Sequence, residues 1–361
     1  MKVLHIDEQN GWRGGEQQAS WLIRGLCAHG HHVIIAARPE SAFYRNDHGG
    51  AAIERLPVPL ITEVDLYSAF RISRLAREAK VDIFHAHTSH AHTIALLARR
   101  LAGRGKVLVS RRVSFLPKTD PFNRWKYAAP DRIVGVSEHV TQILRDGGVP
   151  DSKLATVHSS VDLAAVEVPP IPRAELGIDE NTTLILNAGS LVGHKDHANL
   201  LHAMARALTT IPEARLLIAG DGALRPEIEA LAQTLGISHA VTLLGHRSDV
   251  PRLIRAADLY VSSSWSEGLG TSILESLACK VPVVATEAGG AREMVIPGET
   301  GYLVPCRDSE PLAEAIVRAL THPDEAKKFA EKGRTLVEKE FSTERMVEGT
   351  LKIYQSLLST K

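Results

Sequence analysis

The sequence predicts an α/β protein built of two doubly wound, Rossmann-like domains facing each other across a cleft. Three observations carry this. Its 361 residues exceed what a single hydrophobic core normally supports. Short apolar runs that read as buried parallel strands alternate with stretches of helical period, and the alternation restarts after a proline-rich break, Val168-Pro-Pro-Ile-Pro172. Glycine-rich loops stand at strand-to-helix turns in both halves, where such a sheet leaves room for a ligand.

Composition narrows the class. Hydrophobic residues make up 44% of the chain, and no apolar run approaches the roughly 20 residues of a membrane-spanning helix. The opening Met1-Lys-Val-Leu-His-Ile-Asp7 reads as a strand with no apolar signal core, which points to the cytoplasm. Cys27, Cys279 and Cys306 are too scattered for a metal or redox motif and read as reduced thiols. Net charge is zero, but residues 1–170 carry 22 Lys+Arg against 17 Asp+Glu and the remainder 20 against 25. The basic first half suits an anionic acceptor or membrane surface. Neither a basic run nor an aromatic-basic repeat supports nucleic-acid binding.

The first half opens with a strand at 2–6, a turn-rich loop ending in Gly14-Gly15-Glu16, a helix over 17–28 and a second strand at 32–36. That βαβ unit puts a glycine pair where a phosphate binds, yet Gly11, Gly14 and Gly15 do not spell a dinucleotide fingerprint. A strand over 81–87 brings His85 and His87 to the same side, whereas His90 and His92 fall at i, i+2 on the next helix and do not face each other. One or two active-site histidines fit this better than a metal cluster. A strand at 107–110 ends in Arg111-Arg112, and residues 115–127 read as an aromatic, basic loop. A strand at 132–136 and a helix capped by Ser137 complete the half.

The second half repeats the scheme with strands at 183–188, 215–219, 241–244, 259–261, 281–285 and 302–304. Helices follow over 199–208, 226–235, 249–256, from 271, around 291–295, and over 310–320 and 323–339. Its central stretch is Ser262-Ser-Ser-Trp-Ser-Glu267-Gly-Leu-Gly-Thr-Ser-Ile-Leu-Glu275. Gly268 and Gly270 let the backbone approach a ligand, Thr271 or Ser272 is placed to cap the helix, and the amides of its first turn suit a phosphate. Glu267 and Glu275 add two acceptors for ligand hydroxyls, the pattern of groups a nucleotide sugar requires.

These residues carry a family resemblance. Gly14-Gly15-Glu16, Asn187-Ala-Gly-Ser-Leu with Lys195, Gly220-Asp-Gly, Gly245-His-Arg-Ser-Asp249-Val, Glu267-Gly-Leu-Gly with Glu275, Gly289-Gly-x-x-Glu293 and Gly298-x-x-Gly301-Tyr-Leu-Val occur in order. The chain resembles a retaining glycosyltransferase of family 4, with the GT-B fold. The resemblance implies an acceptor-binding domain over 1–168, a nucleotide-sugar-binding domain over 169–340, and a C-terminal helix over 341–361 that packs back toward the first domain. It makes Glu275 the holder of the ribose hydroxyls and Glu267, with the amides of Gly268, Leu269, Gly270 and Thr271, the holder of the donor sugar. Lys195 neutralises the diphosphate, Gly14 and Gly15 supply an amide to it, Ser190 and Gly222 line the donor site, and Arg247 edges the nucleobase pocket. His87 resembles the histidine beside the anomeric carbon.

Two departures stand out. Gly189-Ser190 replaces a common Gly-Arg, so Lys195 needs help from Arg112 or Arg247, and His158-Ser159-Ser160-Val161-Asp162 lacks the glycine that usually makes the backbone turn there. The catalytic set expected is thus His87, Glu267 and Lys195, acting on a nucleoside-diphosphate sugar with no metal, since no Asp-x-Asp occurs in the chain. The acceptor is expected to be a cell-envelope glycan or glycolipid of lipopolysaccharide-core type, met by Arg111, Arg112, Trp125 and Lys126, with peripheral contact at the inner face of the cell membrane. The alternatives are a glycosyltransferase acting on a soluble small-molecule acceptor, or an inactive sugar-nucleotide-binding protein.

Overall fold

The computed structural model describes residues 1–359, and its strands form two separate parallel sheets. The first holds β1 (Lys2–Asp7), β2 (His32–Ala37), β3 (Ile53–Pro57), β4 (Ile83–Ala86), β5 (Lys106–Arg111), β6 (Arg132–Gly135) and β7 (Leu154–Thr156) in the order β3-β2-β1-β4-β5-β6-β7. The second holds β8 (Leu184–Ala188), β9 (Arg215–Ala219), β10 (Val241–Gly245), β11 (Leu259–Ser262), β12 (Val283–Thr286) and β13 (Tyr302–Val304) in the order β10-β9-β8-β11-β12-β13. Inner strands such as Val33–Ala37 and Val283–Ala285 are buried on both faces, which is why they read as continuous apolar runs rather than alternating ones.

Each order reverses once, between β1 and β4 in the first sheet and between β8 and β11 in the second. At such a reversal the neighbouring connections leave in opposite directions, and the carboxyl ends of the two strands open onto a hollow. Loops after β1 and β4 carry Asp7, Glu8 and His87; loops after β8 and β11 carry Lys195 and Glu267.

The chain divides into two units, residues 1–160 together with the stretch from Thr343 onward, and Val161–Ser342. The division falls at 160/161 rather than 168/169 because the expected linker is not free: Val161, Val166 and Ile171 are buried in the core of the second unit. The departure at Ser160 also has a structural account. Its N–H donates to Gln18 Oε1 at 2.7 Å and its carbonyl accepts from Gln18 Nε2 at 2.6 Å, so a side chain holds the backbone that a glycine turn would otherwise shape.

Helix Thr343–Ser359 belongs to the first unit; positions 360 and 361 of the expected 341–361 segment lie outside the described residues. Its Met346, Val347, Leu351 and Tyr354 join Val3, Leu22, Leu108 and Val134 in one core. Close approach requires Gly25 on helix Gly14–Ala28, where an added Cβ would lie 2.3 Å from Val347 Cγ2.

Some elements were absent from the sequence reading. Residues 115–127 are not wholly a loop: Pro121–Ala128 is a helix, with Pro121 in its first turn and Asp120 Oδ1 accepting from Asn123 N at 3.1 Å. Strand β3, helix Leu66–Glu78 and strand β7 are further additions. Residues 289–293 form a 3₁₀ turn in place of the helix expected around 291–295, and Gly270, in a left-handed conformation at φ 101°, stands at the N-cap assigned to Thr271 or Ser272.

Lys126 is the main correction among the expected surface groups. It is only 2% exposed, and its ammonium is held by Glu63 and Ser89, so it cannot meet an acceptor at the rim. Removing it strands a carboxylate that is partly shielded from water. Lys126→Ala should therefore lose about 2 kcal/mol of stability, below the cost for a fully enclosed pair because Glu63 still reaches solvent. Lys126→Met combined with Glu63→Gln should recover most of it, as read from urea unfolding midpoints.

Candidate active site

In the second unit the site is assembled by two loops stitched together at the β8/β11 reversal. Ser263 Oγ donates to Lys195 O at 2.9 Å, Trp265 N to His194 O at 2.9 Å, and Trp265 Nε1 to Gly193 O at 3.0 Å. These bonds fix the facing side chains. Lys195 Nζ lies 2.5 Å from Glu267 Oε1, which also accepts from Ser264 Oγ at 2.6 Å. Lys195 and Glu267 are both mostly enclosed, with 23% and 12% of their side-chain surface exposed, so the pair keeps much of its electrostatic strength. Beyond it, helix Thr271–Ala278 begins with no side chain capping its first-turn amides, leaving a partial positive charge at that end. Glu275 follows one turn in. Part of the residue reaches the surface, yet burial lifts its carboxyl to about 7.

Glycines explain the tight packing beneath this loop. A Cβ on Gly290 would come within 2.6 Å of Gly268 O, one on Gly220 within 1.9 Å of Gly189 O, and one on Gly222 within 2.5 Å of Leu191 O. Gly222 thus has a structural reason to be small, apart from any ligand. Leu269 is 3% exposed, so its backbone, not its side chain, is what the loop can offer. Ser190 is exposed. Arg247 is not gathered with Lys195: it follows β10, at the sheet edge two strands away from β8, and forms a bidentate pair with Asp249 at 2.8 and 2.6 Å.

In the first unit a cavity of about 710 Å³ opens at the β1/β4 reversal, lined among others by Glu8, Arg13, Gly15, Glu16, His87 and Arg112. Gly14 and Gly15 begin helix Gly14–Ala28, and Glu16 accepts from Arg13 N at 2.8 Å. Gly15 leaves room for Arg112, whose Cδ would lie 3.3 Å from an added Cβ. Arg112 is half-buried in the cavity wall, and burial lowers it to about 10 against the opposing pull of Glu16 and Asp7. Burial in turn raises Glu16, and Asp7 well above the carboxylate range. Glu8 caps the next helix, accepting from Thr88 Oγ1 and from Ala91 N at 3.3 Å.

Arg111 is committed within the protein. Its guanidinium donates to Tyr127 Oη and, at 2.7 Å, to Phe115 O, with its centre 4.7 Å from the Phe115 ring. It shapes the 113–118 loop rather than presenting a free charge. Trp125, by contrast, is 41% exposed.

His87 belongs to a buried trio with His5 and His85, whose ligand atoms lie within 4.8 Å of one another, the one such group of metal-ligating type among the described residues. His5 Nδ1 and His87 Nε2 already share a hydrogen bond of 2.8 Å, and His85 bonds Tyr354 Oη at 2.6 Å and Ser110 Oγ at 2.8 Å. A dication there would break these bonds beside the Arg112 guanidinium. Sequence reasoning missed Asp7, Glu16, His5 and Tyr354. His5 was visible as a polar residue in a buried strand, but its partner is set by the β1–β4 register, in which His5 pairs with His85.

Comparison with known proteins agrees with this geometry. A family model of glycosyl transferases group 1 matches residues 170–336, and one of glycosyltransferase family 4 matches residues 12–165. The glycosyltransferase EpsD of Bacillus subtilis is 31% identical over 296 residues, 77% of each chain. The lipopolysaccharide core biosynthesis glycosyltransferase LpsE of Rhizobium meliloti is 26% identical over 363 residues, 99% of each chain. Among solved structures, Anabaena HepE in complex with UDP and glucose superposes with a TM-score of 0.86 at 20% identity, covering 99% of this chain and 100% of that one. The two-sheet architecture is that of the GT-B glycosyltransferases, and the chain belongs to glycosyltransferase family 4.

Proposed function

We propose that this glycosyltransferase is retaining and metal-independent, and moves a sugar from a nucleoside diphosphate to a glycan or lipid-linked acceptor of the cell envelope. The observation that carries the donor side is the Lys195–Glu267 pair fixed beside the uncapped first turn of the Thr271–Ala278 helix. When the glycosidic bond breaks, negative charge grows on the diphosphate. Lys195 and the helix amides are held in place for that charge, so stabilisation costs little reorganisation at the moment of reaction. Glu267, released from Lys195 by the phosphates, accepts hydrogen bonds from the sugar hydroxyls, and Glu275 accepts from the ribose. In this reading Arg247 borders the base. Retention follows from the family resemblance and is read directly from the anomeric coupling of the product by proton NMR.

An acceptor of lipopolysaccharide-core type is supported by the full-length similarity to LpsE and by the rim of the first unit. There Phe115, Leu116 and Trp125 are exposed, and the Lys126–Glu63 pair ties them to a second exposed apolar stretch at Ile61, Leu66, Tyr67 and Phe70. Lys118 and Arg124 stand exposed in the same segment as Phe115 and Trp125. Apolar rings bordered by cations suit an anionic membrane interface, and no helix among the described residues is long and apolar enough to cross a membrane. In this reading the protein works in the cytoplasm, at the membrane's inner face.

Three measurements test these readings. In EDTA throughout, wild-type protein should release nucleoside diphosphate from one member of a UDP-, GDP- and ADP-sugar panel when an envelope acceptor extract is supplied. Under the same conditions Glu275→Ala should weaken nucleotide binding and Glu267→Ala should chiefly lower kcat, each by about 1.5–3 kcal/mol; loss of turnover on chelation with recovery on Mn²⁺ would reverse the metal-independent assignment.

The second measurement is the pH dependence of nucleotide affinity. A free-enzyme Glu275 near 7 must be ionised to accept from both ribose hydroxyls, so binding expels its proton. Affinity should rise as pH approaches 7 from below and level off above it, and Glu275→Gln should remove that rise, as read by calorimetry.

The third concerns the rim. Phe115→Ala with Trp125→Ala should abolish salt-sensitive co-sedimentation with anionic liposomes while leaving nucleotide affinity intact. Wild-type sedimentation indifferent to lipid charge, together with full activity of that variant, would favour a soluble acceptor.

A further inference from the structure

Strand register sets His5 of β1 directly beside His85 of β4, and His87 follows on the same side of the sheet. All three rings are buried, with the His5 and His87 rings nearly coplanar (interplanar angle 5°) and their centroids 5.1 Å apart, and His85 and His87 centred 4.2 Å apart. Their protons can be assigned from their partners. A guanidinium only donates, and Arg112 Nη2 lies 3.4 Å from His87 Nδ1, so that nitrogen holds the lone pair. His87 therefore carries its proton on Nε2 and donates it to His5 Nδ1 at 2.8 Å. His5 is left with its proton on Nε2, a buried atom that has no hydrogen-bond partner.

The groups facing His87 are His5 from β1, His85 from β4, and Arg112 from the end of β5, while Asp7 and Glu16 exert their pull on Arg112. Burial, reinforced by these neighbours, holds His87 well below the usual imidazole range. A buried polar atom left unpaired is uncommon, and here it belongs to the residue that secures the ring at the strand reversal.

We propose that His5 is a positioning residue which, together with Arg112, locks His87 as a neutral ring in the Nε2–H tautomer and in one orientation. With both ring nitrogens engaged, His87 exchanges no proton with the reacting sugar. An acid-base role would require one of its nitrogens to leave Arg112 or His5. The inference rests on the glycosyl transfer proposed above for its kinetic consequence, but the ring's protonation is observable without turnover.

The experiment is a long-range proton–nitrogen NMR spectrum of nitrogen-15 histidine-labelled full-length protein, with the His87 signals assigned by comparison with His87→Gln. Expected is a neutral Nε2–H ring for His87, unchanged across about pH 5 to 8. A proton on Nδ1, or titration of this ring within that interval, overturns the proposal. In parallel, His5→Leu should let the ring exchange tautomers and lower kcat about tenfold or more, with donor affinity retained. His5→Asn, whose amide oxygen can accept from Nε2–H, should restore most of the rate. Unchanged kcat in His5→Leu, or no rescue by asparagine, counts against the proposal. Should the leucine variant fail to fold, the wild-type spectrum decides alone. Absence of nucleoside-diphosphate release from every sugar nucleotide would refute the transferase reading while the spectrum still judges the lock.

Discussion

A parallel sheet satisfies its backbone internally and buries both faces, so chemistry can be placed only where the connections part. Each sheet of this protein offers one such place, at the β1/β4 and the β8/β11 reversals. The loops at those two points carry Glu8, His87, Lys195 and Glu267, and the surrounding strands fix where those loops begin. This is why the loops after β8 and β11 are stitched by three backbone-directed bonds: a pair such as Lys195 and Glu267 retains its geometry only if its supports cannot slide.

Charge burial imposes the second constraint. Burial raises Asp7 and Glu16 against the pull of the Arg112 guanidinium, and burial drives the histidines neutral, with Arg112 adding to that effect on His87. The cluster thereby holds fewer net charges than its residue list suggests. Lys126 solves the same problem with a single carboxylate and a hydroxyl. In both cases a residue that looks like a surface cation in the sequence is spent on holding loops in place, as Arg111 is on the 113–118 turn.

That distinction marks the limit of sequence reading here. The alternation of apolar runs and the ordered glycine and glutamate motifs of the second half reveal the two sheets and the donor loop, because local period and loop chemistry are local properties. Glu267 and Glu275 are found that way, and Lys195 through the family resemblance. Residues 41–80 and the Pro121–Ala128 helix resist the same treatment: β3 is the polar edge strand Ile53-Glu-Arg-Leu-Pro57, and the Asp120-Pro121 cap is hidden among aromatic and basic residues. The burial of Lys126 and Arg111, and the partnership of His5 with His85, depend on contacts between elements far apart in the chain. No short window contains them.

The return of helix Thr343–Ser359 to the first unit has a consequence for biosynthesis. The second unit is one unbroken segment and has all its strands as soon as residue 342 has been made. The first unit is synthesised earlier but finishes later, since Met346, Leu351 and Tyr354 fill its core and Tyr354 supplies a bond to His85. The nascent chain therefore emerges from the ribosome in one order and acquires competent structure in another. Its older half waits, with an open apolar flank, for a segment translated after the whole of the second unit.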